Sequence, residues 1–148
     1  DCWLITRGIK TLPLRLERQV ANASVIANAI YSHPNVNAVL YPFRKDHPQH
    51  PVAIAQMKSG GAIVTASINS DQNGTYSFCK SLKYFTMAES LGGVESLVCH
   101  PATMTHASVD AATKKRLGIN AGLIRLSIGC EDVSDLKRDL IDALDRLT

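Results

Sequence analysis

Residues 122–147 read GLIRLSIGCEDVSDLKRDLIDALDRL, and their pattern sets the fold class. Leu123, Ile124, Leu126 and Ile128 form a short apolar run with the composition of a strand, broken by Gly129. Glu131 and Asp132 follow, where negative charge favours the positive end of a helix dipole. Val133, Leu136, Leu140, Ala143, Leu144 and Leu147 then recur at three- and four-residue spacing, one stripe of an amphipathic helix. Arg138 and Arg146 fall on its opposite, solvated face. A strand followed directly by a helix with one apolar face implies a sheet with helices laid on it.

Upstream, the same alternation continues. Ile9, Leu12, Leu16, Val20, Ala23, Ala27 and Ile30 trace one helical face from about Gly8 to Ser32, with Pro13 either kinking it or marking its first turn. Val36–Tyr41 and Ala62–Ile68 read as strands, and Val52–Met57 as a helical turn. SDQNG (70–74) reads as a turn, with a helix over Tyr76–Leu82. Tyr84–Met87 and Val94–Val98 are short extended segments around Gly92-Gly93, and Ala111–Leu117 is a helix closed by Gly118. The expected fold is α+β: a small, mainly antiparallel sheet with helices packed on it.

Composition narrows the function classes. The chain has 148 residues, 45% hydrophobic and 20% charged, the balance of one soluble domain with a full core. Sixteen Lys and Arg against thirteen Asp and Glu leave a net charge of +3, too even to suggest a nucleic-acid or membrane partner. Cys2, Cys79, Cys99 and Cys130 are scattered without a CxxC pair, as expected of small buried hydrophobes in a reducing cytoplasm. The sequons at Asn22 and Asn73 are therefore read as chance matches. The five histidines show no metal-ligand spacing.

No nucleophile elbow, P-loop or dinucleotide fingerprint is present, and Gly60-Gly61 and Gly92-Gly93 read as tight turns. Arg125, inside the apolar LIRLSIG strand, stands apart. It either alternates out to water or points inward, where its guanidinium needs a partner. That partner is a structural carboxylate, such as an Asp of the last helix, or a ligand carboxylate held bidentately.

Three runs carry a resemblance: RGIKTLPLRLERQ (7–19), AESLGGVESLVCHPATMTH (88–106) and GLIRLSIGCEDVSDLKRDLIDAL (122–144). In this order and spacing, and with SGGAIVTASI (59–68) between them, the chain resembles the C-terminal portion of the cystathionine γ-synthase/γ-lyase family. These are pyridoxal-phosphate enzymes of cysteine and methionine metabolism with the aspartate-aminotransferase-like fold. The resemblance implies that residues 1–148 are the family's small C-terminal domain. The cofactor domain and its Schiff-base lysine then lie upstream. Opening on Asp1 rather than Met agrees with this, and none of the eight lysines sits in a context like the family's cofactor-lysine motif.

By the same resemblance, Arg125 matches the arginine that clamps the substrate's α-carboxylate, and Ser90 a position whose backbone helps hold it. Glu89 matches a specificity position, acidic in γ-acting members and aromatic in bacterial β-lyases; a carboxylate there suits a distal ammonium. Glu95, His100 and His106 are expected only to pack or to order loops. The implied parent is a cytoplasmic homo-oligomer, usually a tetramer. It acts on cystathionine or an activated homoserine by γ-replacement or γ-elimination, with no nucleic-acid or membrane partner. Methionine γ-lyase, acyl-homoserine sulfhydrylase and cystathionine β-lyase chemistry are the alternatives within the family. A non-catalytic binding or assembly module is the alternative outside it.

Overall fold

Alternation along the strands decides which face of the sheet is covered and which carries polar groups. The computed structural model describes residues 1–147, so Thr148, the last residue of the expected domain, lies outside the described residues. In chain order the elements are α1 (Cys2–Ile9), α2 (Leu12–Tyr31), β1 (Val36–Leu40), α3 (His50–Gln56), β2 (Ile63–Ile68) and α4 (Gln72–Ser81). Then come β3 (Phe85–Met87), β4 (Ser96–Cys99), α5 (Ala111–Arg116), β5 (Leu123–Ser127) and α6 (Val133–Asp145). The five strands form one sheet in the order β1-β2-β5-β4-β3. Only β3 and β4 run parallel, so the sheet is mainly antiparallel as expected.

Val64, Ala66 and Ile68 of β2 and Ile124 and Leu126 of β5 point to one face and are buried. There they meet Ala23, Ile26, Ala27 and Ile30 of α2 and Leu136, Leu140 and Leu144 of α6. Each such buried aliphatic side chain contributes roughly 1.5–3 kcal/mol. The stripe read from the last helix is therefore its core face, and Arg138 and Arg146 are exposed as expected.

The helix expected from about Gly8 to Ser32 has Pro13 in its first turn, the second of the two roles expected for that proline, and a separate short helix precedes it. α1 ends at Ile9, and α2 starts at Leu12 with Pro13 in its first turn, where the missing N–H costs nothing. The expected apolar face also starts too early. Ile9, Leu12 and Leu16 are exposed, because α2 buries side chains only from Gln19 onward; its earlier turns meet Cys130 and Glu131 through the Arg15 carbonyl and the Arg18 guanidinium. α1 has no buried residue. The expected turn at SDQNG is instead the start of α4. The Asp71 carboxylate accepts the Gly74 N–H at 2.7 Å, so Gln72, Asn73 and Gly74 form the helix's first turn. Cys79 and Cys99 are buried as expected, and burial, with Cys99 close by, pushes the Cys79 thiol up to about 12; Cys2, by contrast, is exposed. No described helix is long and apolar enough to cross a membrane.

One buried charge on the core face is fully used. Asp139 of α6, 5% exposed, accepts N–H bonds from Lys83 at 3.1 and 2.9 Å and from Tyr84 at 2.9 Å, fixing the entry to β3. Asp139→Ala leaves both backbone donors without acceptors and is expected to cost about 2 kcal/mol in chemical denaturation of the intact protein. Asp139→Asn, which keeps one acceptor oxygen, should recover part of that.

Candidate functional site

β5 positions Arg125 by the same alternation. With Ile124 and Leu126 turned to the core, Arg125 lies on the opposite face, between Thr65 of β2 and Cys99 of β4 in register. Its Nη2 donates to the backbone carbonyls of Glu89 at 2.8 Å and Ser90 at 3.3 Å. Its Nε is shielded from water and makes no hydrogen bond. No carboxylate of the described residues forms an ion pair with it. Arg125 is thus neither free in water nor paired with an Asp of α6, which packs on the other face. Its planar guanidinium has the geometry that matches the two oxygens of a carboxylate.

The segment facing Arg125 is the turn Ala88–Glu95. The Ala88 N–H donates to the Val98 carbonyl at 3.0 Å, and Gly92, at φ +80°, takes the left-handed conformation that closes the turn. Glu89 and Ser90 are both exposed at its tip, and the Glu89 carboxylate has no partner among the described residues. The three residues named from the sequence therefore come together, joined by the two bonds from Arg125.

Other contacts to this turn escaped the sequence. Ser127 Oγ accepts the Gly92 N–H at 2.9 Å, and Gln19, buried in α2, donates to the Gly93 carbonyl. The Cys130 N–H donates to the Val94 carbonyl at 2.8 Å. The Glu131 carboxylate accepts from the Ser96 N–H at 2.6 Å and from its hydroxyl at 2.9 Å. Glu131 was expected at the start of α6, but only Asp132 caps that helix, accepting the Ser134 N–H at 2.8 Å. Strand alternation links only Ser127 to Arg125, since β5 ends at Ser127 and the chain bends at Cys130 and Glu131.

His100 is fully buried. Its Nδ1 is 2.8 Å from Thr103 Oγ1 and its Nε2 2.9 Å from the Ala121 carbonyl, which ties the 101–109 turn to the loop leading into β5. Burial pulls its pKa down and favours the neutral ring, consistent with a loop-ordering role. The His106 ring is 2.9 Å from Thr105 Oγ1, its backbone N–H donates to the Pro101 carbonyl at 2.9 Å, and Glu95 is exposed.

A pyridoxal-phosphate site needs a lysine shielded from water to form and protect the imine. Seven lysines of this chain are exposed, and the eighth, Lys114, is half-buried with its ammonium on the Ala102 and Ala107 carbonyls at 3.0 and 3.3 Å. The described residues therefore do not form the cofactor's own cradle. Nor is Arg125 enclosed: clefts such as the one lined by Asp71, Phe78 and Arg146 do not include it. What these residues offer is an open surface on which the Arg125 guanidinium lies beside the exposed Glu89–Ser90 turn.

Known proteins resemble this chain along nearly its whole length. Residues 1–145 match the family described as Cys/Met metabolism PLP-dependent enzyme. A cystathionine γ-lyase of Dictyostelium discoideum is 47% identical over 146 residues, covering 99% of this chain and 38% of that protein. A cystathionine β-lyase of Coxiella burnetii is 46% identical over 97% of this chain and 37% of its own length. A crystal structure of cystathionine γ-synthase from Xanthomonas oryzae pv. oryzae in complex with cystathionine superposes with a TM-score of 0.94. It is 44% identical, and the match covers 99% of this chain and 38% of that one. The chain thus spans well under half the length of these relatives. It belongs to the family of pyridoxal-phosphate-dependent enzymes of cysteine and methionine metabolism.

Proposed function

We propose that residues 1–148 are the C-terminal, substrate-clamping domain of a pyridoxal-phosphate enzyme that replaces or eliminates the γ-substituent of cystathionine or an activated homoserine. The observation that carries this reading is the Arg125 guanidinium set beside the exposed Glu89–Ser90 turn, without a carboxylate partner among the described residues. The cofactor's chemistry is electron withdrawal from the amino acid's Cα. This chain's part is orientation. Arg125 binds the α-carboxylate side-on, and fixing that group fixes the rotation of the substrate about Cα. The backbone of Ser90 lies beside it, and the exposed Glu89 carboxylate is free to meet a distal ammonium. An isolated open surface cannot exclude water, so we take this chain alone to be inactive. The whole protein we take to be a cytoplasmic homo-oligomer, in keeping with the family pattern and the unpaired cysteines.

The γ assignment rests on Glu89, since relatives named β-lyase and γ-lyase are about equally similar to this chain. Steady-state assays of the intact protein on cystathionine, O-succinylhomoserine and methionine test it. Turnover is expected on a γ-substituted substrate, with Glu89→Ala raising KM for cystathionine about tenfold, the scale of one charge-assisted contact. Absence of activity on all γ-substituted substrates would overturn the proposal. Release of pyruvate from cystathionine, without γ-cleavage, would instead favour β-lyase chemistry.

A further inference from the structure

Of the bonds that hold the segment from Glu89 to Ser96, those of Arg125, Ser127, Gly129 and Glu131 come from β5 and the residues after it, while Gln19 of α2 and the Cys130 N–H hold Gly93 and Val94. Arg125 reaches the carbonyls of Glu89 and Ser90; Ser127 accepts the Gly92 N–H; Gly129 donates its N–H to Ser96 Oγ at 2.9 Å; Glu131 holds Ser96 through both its N–H and its hydroxyl. Two positions of β5 and two just after it thus engage the turn and its outgoing strand over Glu89–Ser96. Ser127 and Ser96 are buried, at 1% and 0% exposure, so each hydroxyl is held inside the fold. The arginine that binds is therefore set against the turn it binds with by neighbours that never touch the ligand.

We infer that Ser127 and Glu131 are positioning residues for the carboxylate clamp. Ser127 fixes the turn beside its tip, two residues from Ser90, through Gly92. Glu131 fixes where the same segment leaves for β4. Losing either releases the Glu89 and Ser90 carbonyls relative to Arg125 Nη2, and the fork then swings from its carboxylate-binding pose. This rests on the clamp reading above and adds residues that the clamp itself does not contain.

The test compares Ser127→Ala, Glu131→Ala, Glu131→Gln and Arg125→Ala in the intact protein, with rates normalised to bound cofactor. Ser127→Ala should raise KM for the amino-acid substrate about fivefold to tenfold while kcat changes less than threefold, the scale of one lost neutral hydrogen bond. Glu131→Ala should raise it about tenfold or more, because its bonds are to a carboxylate. Glu131→Gln keeps an acceptor for the Ser96 N–H and should recover much of the loss. A purely structural role lowers the yield of active enzyme and leaves KM unmoved. KM within twofold of the parent in Ser127→Ala and Glu131→Ala, with Arg125→Ala still strongly impaired, overturns the inference and spares the clamp. An Arg125→Ala loss below tenfold overturns both. If Glu131→Ala does not fold, Ser127→Ala decides alone.

Discussion

Replacing Arg125 by alanine or by lysine in the intact protein is expected to lower kcat/KM for its amino-acid substrate at least ~10²-fold. Hydrogen bonds to a charged group contribute roughly 1.5–3 kcal/mol each, and a side-on fork makes two. By the usual conversion, losing both exceeds a hundredfold in rate. Lysine keeps the charge but not the geometry. Its ammonium is a point donor on a flexible stem, and it cannot hold two carboxylate oxygens while also bonding the Glu89 and Ser90 carbonyls. Lysine should therefore behave nearly as badly as alanine, which separates a fork from a mere positive charge. KM and kcat should both suffer, since a substrate that binds without its carboxylate fixed samples unproductive rotations. A competitive inhibitor lacking the α-carboxylate should bind the parent and Arg125→Ala equally well. A loss below tenfold would mean that Arg125 serves only to cap the two carbonyls.

How much of this was legible in advance depended on the range of the interaction involved. The β5–α6 unit was readable because a strand of period two and a helix of period 3.6 are local patterns, and a charge in an apolar strand is conspicuous at Arg125. The start of α4 was misread because Asp, Asn and Gly serve equally in a turn and in a capped helix entry. Only the bond from the Gly74 N–H to Asp71 separates the two. Ile9 of α1 and Leu12 and Leu16 of α2 fall outside the buried face because periodicity says which residues share a side, not which turn of the helix meets the core. Glu89 and Ser90 have no local signature at all and were reached only through family resemblance. Ser127 and Gln19 were invisible for a further reason. Their partners Gly92 and Gly93 lie 35 and 74 residues away, and a serine or glutamine in an amphipathic element reads as ordinary surface until the chain folds back on it.

Glycine in the same framework yields the second large effect, because two glycines of this chain are required for opposite reasons. Gly118, at φ +72°, has open space where a side chain would sit, so Gly118→Ala meets only the penalty of a left-handed backbone, about 1–2 kcal/mol. Gly129 has an ordinary backbone but no room: an added Cβ would meet the Val94 carbonyl oxygen and come 2.6 Å from the Glu95 carbonyl carbon. Neither neighbour is a side chain that can rotate away. Both belong to the segment held by the Cys130 N–H bond to Val94 and the Gly129 N–H bond to Ser96 Oγ, so relief of the clash requires breaking those bonds. Gly129→Ala is therefore expected to cost about 3 kcal/mol or more, at the upper end of overpacking in a closed core. In denaturant unfolding of the intact protein, its midpoint should fall well below that of Gly118→Ala at similar slope. The displaced segment also carries the Glu89–Ser90 turn, so KM should rise in Gly129→Ala and stay near the parent value in Gly118→Ala. Equal midpoints with unchanged KM would mean that strand and turn can separate at no cost, and that the clamp does not depend on their close contact.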